Sequence, residues 1–132
     1  MNKTLSTITN TTLIKKPKIK EPLLLLSLLR VKGIGNAKLA KWIINCGQDF
    51  DICIKSLPSL LDDKQIKEFA KNIKDVIKEI EYNLEQGISI ITIFDKKFPS
   101  KLYTSTGKCI YLYYKGDVNL LNKKSVAVIG AR

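Results

Sequence analysis

From Ile66 to Leu84 the apolar residues Ile66, Phe69, Ala70, Ile73, Val76, Ile77, Ile80 and Leu84 fall at steps of 3, 1, 3, 3, 1, 3 and 4. That spacing keeps one helix face apolar and predicts an α-helix of about five turns. Asp62 and Asp63 stand at its start, where side-chain acceptors satisfy free N–H groups, and Gly87 stops it. After Gly87 the period changes. Ile88-Ser-Ile-Ile-Thr-Ile-Phe94 is rich in β-branched residues and reads as a strand. A long amphipathic helix followed by strands excludes an all-α or all-β chain. The expected class is α+β moving to α/β.

Upstream of the long helix the pattern is again helical. Pro22 suits a first helical position, with Glu21 beside the positive end of the dipole. Leu23–Val31 reads as a short, largely buried helix, broken by Gly33 and Gly35. Asn36 is placed to N-cap the next helix, Ala37 to Cys46, which turns Leu39, Ile43 and Trp42 inward and is closed by Gly47. Phe50–Ile54 reads as a helical or irregular link, and Pro58 as the opening of a further short helix. Downstream, Phe98–Tyr103 reads as a helical turn, Ile110–Tyr114 and Ser125–Ile129 as strands, and Leu120–Asn122 as a turn. The expected organisation is a flexible basic arm over 1–21, a helical unit over 22–87 and a β-rich unit over 88–132.

Charge narrows the function classes. The net charge is +11, and it is uneven: residues 1–20 hold five Lys and no acid, and residues 88–132 hold eight basic and two acidic residues. Between Pro22 and Gln48 lie Arg30, Lys32, Lys38 and Lys41 without an acid. This distribution points to a polyanion partner, although net charge speaks to association and not to fold. A solubilising lysine-rich surface would carry the same charge. The longest apolar run, Leu23–Leu29, is too short for a membrane span, and no basic amphipathic helix with aromatic anchors is evident. The start lacks the three-part pattern of a secretory signal, so a cytoplasmic location is expected. His is absent, and Cys46, Cys53 and Cys109 have no metal-ligand spacing. The expectation is a protein without metal, cofactor or enzymatic activity, its cysteines buried as small hydrophobes in a reducing compartment.

Gly33-Ile34-Gly35 stands between the two short helices, flanked by apolar positions. This resembles a helix-hairpin-helix, in which Gly-hydrophobic-Gly lets backbone N–H groups and the second helix's N-terminus face one phosphate. Ile34 would plug the core, and Lys32, Gly33, Gly35, Lys38 and Lys41 would contact phosphate. Such contacts read backbone and not base sequence. Replacing Gly35 with a β-branched residue is expected to strain the turn as well as block phosphate. The alternative is a hairpin that only joins helices. Tyr103, Tyr111, Tyr113 and Tyr114, interleaved with Lys, either stack on bases or build a half-buried strand. Asp95 and Asp117 read as turn-capping residues.

The C-terminal segment adds a broader likeness. Gly87–Asp95, Phe98-Pro99, Leu112-Tyr-Tyr-Lys-Gly-Asp117 and Lys123-Lys-Ser-Val-Ala-Val-Ile-Gly-Ala-Arg132 together resemble the start of the Rossmann-like domain of the DNA-processing protein A (DprA/Smf) family. That family also carries a helix-hairpin-helix or SAM-like unit in front, so the resemblance runs over about residues 22–132. It implies single-stranded DNA binding, with double-stranded DNA as a further ligand, and loading of a RecA-type recombinase during natural transformation. Gly130 and Arg132 match the family's Gly-Ser-Arg loop, with Ala131 in place of Ser, and Arg132 would grip phosphate. The family's sheet continues further, so a truncated Rossmann-like domain is expected here. Two other readings stay open: a protein-interaction adaptor of SAM-like type, and a remnant of a nucleotide-binding Rossmann enzyme.

Overall fold

The computed structural model describes residues 20–104 and 108–116 and the backbone of 127–130. Residues 1–19 of the basic arm, Asp117, the Leu120–Asn122 turn and Arg132 lie outside these residues, whereas Lys20 and Glu21, expected in the arm, open the first helix. The chain runs α1 (Lys20–Leu29), α2 (Asn36–Asn45), α3 (Phe50–Leu60), α4 (Asp63–Glu85), β1 (Ser89–Thr92), α5 (Ser100–Thr104), β2 (Tyr111–Lys115) and β3 (Ala127–Gly130). The architecture is α+β.

The apolar stripe of α4 behaves as its period predicts. Ile66, Phe69, Ile73, Val76 and Ile80 are buried along one face. The helix runs longer than five turns, over 23 residues, because its first turn is secured by a capping box. Asp62 accepts from the Gln65 N–H at 2.8 Å, and Gln65 Oε1 accepts from the Asp62 N–H at 3.0 Å.

Helix α1 differs in kind. Pro22 to Leu28 are all buried, so the helix has no solvent face and must sit inside the molecule. It packs on α4 on one side and β1 on the other. Asn72 Nδ2 donates to the Ser27 carbonyl at 3.1 Å and fixes the α1–α4 crossing. One hydrophobic core therefore joins helices and strands, from Leu23 through Phe69 to Ile93, Ile110 and Leu112.

Two local expectations are corrected. Asn36 is the first residue of α2, and Gly35, with extended backbone, takes the N-cap position without a side-chain cap. Phe50 to Leu60 is one helix that passes through Pro58, not a link followed by a new helix. Asp49 caps it by accepting from the Ile52 N–H at 3.0 Å. Cys53 and Leu57 are both fully buried on its inner face, and that burial outweighs the single backbone bond a proline removes.

The three strands form an antiparallel sheet in the order β1-β2-β3. Ile91 pairs with Leu112, and Tyr114 with Val128, with a register shift between Tyr113 and Tyr114. The parallel arrangement typical of a Rossmann-like sheet is not formed among the described strands.

Candidate nucleic-acid interface

The turn between α1 and α2 is tight. Val31 N–H donates to Leu28 O at 3.0 Å and Ile34 N–H to Val31 O at 3.1 Å. Gly33 has φ +92°, a conformation L side chains rarely adopt. Ile34 is 5% exposed and plugs the space between the helices, as its position between the glycines predicts. Leu39 and Ile43 bury α2 against the core, while Trp42 is only half-buried.

The two glycines do different work. A Cβ at Gly33 would stand 3.4 Å from Gln65 Nε2, at a backbone angle it would already strain. Gly35 has φ −111° and ψ 176°, and a Cβ there would meet nothing within 4 Å. Strain at Gly35 is thus corrected: its backbone is ordinary extended chain. What glycine provides there is an uncovered start to α2, whose first N–H groups have no side-chain acceptor. Lys32, Lys38 and Lys41 are all exposed around this turn. The arrangement can take an anion by backbone N–H, helix dipole and ammonium charge together.

Residues from α4, distant in sequence, hold the turn in place. Glu68 Oε2 accepts from the Lys32 N–H at 3.2 Å, and Gln65 Nε2 donates to the Lys32 carbonyl at 3.1 Å. The acid-free surroundings seen in sequence are therefore corrected in space, because Glu68 brings a carboxylate to the hairpin. Neither residue stood out in the sequence, where Glu68 reads as one of the solvated charges of a long helix. Arg30 is committed as well, to Glu79 through a salt bridge. Glu79 also accepts from the Tyr113 hydroxyl at 2.8 Å. Burial, with Glu79 beside it, pushes the Tyr113 phenol well above its ordinary value.

The remaining candidates are dispersed. Tyr111 is buried and meets Tyr113 edge to face at 5.8 Å, so these two serve the core and not base stacking. Tyr103 is half-buried and stacks on Phe98. Asp95 accepts from the Lys97 N–H at 2.8 Å, the turn role expected of it. Gly130 ends β3, and nothing brings it to the hairpin among the described contacts. Burial raises the Glu21 carboxyl, with Lys20 opposing and Asp95 adding to the shift. The buried Cys53 thiol is pushed up to about 12 by burial and by Cys46 beside it, which leaves it unreactive.

Residues 89–132 match the family of DNA recombination-mediator protein A. Over this stretch the chain is similar to that family. The matched residues include all three strands and α5, whereas the hairpin and α4 precede them. No curated protein and no solved structure matches the chain. Among the described residues no helix is long and apolar enough to cross a membrane, and no cluster of three or more metal-ligating side chains occurs.

Proposed function

We propose that the protein binds DNA as part of a recombination-mediating activity, gripping backbone phosphates at the α1–α2 hairpin. The observation that carries this is the open start of α2: Gly35 adds no side chain, no cap covers the first turn, and Lys32, Lys38 and Lys41 surround it. This is helix-hairpin-helix chemistry, and the family match over 89–132 supplies the DNA context. In this reading the three antiparallel strands are the entry to a Rossmann-like sheet. Gly130 and Arg132 contribute a second phosphate contact from its first loop. Single-stranded DNA is the preferred ligand, and a RecA-type recombinase in the cytoplasm is the partner it serves. The protein acts by binding and not by catalysis.

Fluorescence anisotropy of labelled single- and double-stranded DNA over a salt series tests this. About three to five phosphate contacts give a log–log slope of roughly −2 to −4. Gly35→Val should lower affinity and flatten that slope while leaving the fold intact. Equal binding by Gly35→Val and the unaltered chain would sink the hairpin as the site.

A further inference from the structure

A second concavity lies away from the hairpin, at the far end of α2. It has a volume of about 350 Å³ and is lined by Gly47, Gln48, Phe94, Asp95, Lys96, Phe98 and Tyr103. One wall is the turn between α2 and α3; the other is the segment that leaves β1. The size falls within the range of small-ligand sites.

Its chemistry is specific. Phe98 and Tyr103 stack with centroids 6.2 Å apart and planes 22° from parallel. Phe98 is buried, so Tyr103 is the half-exposed ring of the pair. Beside them Lys96 and Asp95 are both exposed. One Asp95 oxygen accepts from the Lys97 N–H at 2.8 Å. Gln48, opposite, holds φ +56°, an unfavourable angle for a side-chain-bearing residue. Its Nε2 donates to the Ile93 carbonyl at 2.9 Å and locks the wall across the opening.

A flat ring on an aromatic pair, a carboxylate acceptor at its edge and an ammonium nearby form a complement to a nucleotide. We propose that this cleft holds one unstacked nucleobase of single-stranded DNA, with its ring on Tyr103 and its phosphate at Lys96. The Asp95 carboxylate accepts from an exocyclic amine, so adenine and cytosine are preferred to thymine. The proposal rests on the reading of the chain as a DNA-binding protein, but it concerns a different surface from the hairpin. It gives that reading a source of strand preference, since bases in a duplex are stacked and unavailable.

The test measures anisotropy of the full chain with three probes: a short oligo-deoxyadenylate, an abasic strand of equal length and a duplex. Tyr103→Leu should weaken oligo-deoxyadenylate binding about five-fold or more, in line with base–aromatic stacking, and leave the abasic strand and the duplex unchanged. Gly35→Val should weaken all three. Tyr103→Leu binding the base-bearing strand as well as the unaltered chain does overturns the cleft. Because Tyr103 also packs on Phe98, an amide NMR titration of the unaltered chain with adenosine monophosphate gives a readout without any variant. Shifts at Gln48, Lys96 and Tyr103 support the cleft; their absence, or shifts confined to Gly33–Lys38, overturns it. If no DNA probe binds but the mononucleotide shifts the cleft, both the hairpin reading and the single-stranded DNA role of the cleft fail.

Discussion

Glu79 accepts from Tyr113, 34 residues away, at 2.8 Å, and its other carboxylate oxygen takes the Arg30 guanidinium. One carboxylate thus ties the end of α1, the middle of α4 and strand β2 together. Tyr113→Phe removes the phenol from this junction and should cost about 1 kcal/mol of unfolding free energy in urea melts, the usual size of such a bond. The pH dependence has a definite sign. The folded chain keeps the Tyr113 proton above the pH, about 10, at which the unfolded chain releases it. Stability from this group is therefore complete below pH of about 10 and falls as pH rises above it. The advantage of the unaltered chain over Tyr113→Phe should shrink across that window. An advantage that stays constant or grows there would contradict the assignment.

The two hairpin glycines should separate cleanly in stability. Gly33→Ala forces an L side chain to φ +92° and against Gln65, so a loss of about 1–2 kcal/mol is expected. Gly35→Ala meets open space on an extended backbone and should change stability by no more than about 0.5 kcal/mol. Paired denaturant titrations decide this, and a Gly35 penalty equal to that of Gly33 would refute it.

Glu68 should weaken DNA binding while it supports the turn. Glu68→Gln keeps a carbonyl acceptor for the Lys32 N–H and removes the negative charge beside the hairpin. Affinity should rise about two- to five-fold at low salt, the size expected of one partly exposed charge, and the gain should fade as salt increases. Glu85→Gln, at the last residue of α4, serves as the control and should change affinity less.

Asp62 anchors the scaffold helix through its capping box. Asp62→Ala should cost about 1 kcal/mol, with loss of hydrogen-exchange protection concentrated in the first turn of α4. Protection lost equally along the whole helix would argue against a local cap.

Leu23, Leu28 and Phe69 of the helices and Ile93 and Leu112 of the strand segment belong to one buried core, so the two parts should unfold together. The alternative is a β-rich end that unfolds before the helices. Hydrogen exchange of the strand amides of β1 and β2 against those of α4 distinguishes the two. Matched protection supports one cooperative unit.

Local periodicity carried much of this fold into view. The stripe from Ile66 to Ile80, the glycine break after Val31, the plug at Ile34 and the strand after Gly87 all rest on contacts a few residues apart, and those are legible in a linear chain. Pro58 misleads for the same reason: local propensity marks a break, but Cys53 and Leu57 are buried in the folded core, and that keeps α3 continuous. The different roles of Gly33 and Gly35 depend on backbone angles and on Gln65, neither visible in a Gly-x-Gly spacing. The carboxylates of Glu68 and Glu79 look alike in sequence, as solvated charges on one helix. Only the packing of α4 against α1 and β2 turns one onto the hairpin and the other onto Arg30 and Tyr113. Residue spacing along the chain determined which elements form and which faces they bury. Electrostatic surroundings and the cleft beside Tyr103 were decided by tertiary structure, because they are made of side chains that meet across long sequence separations.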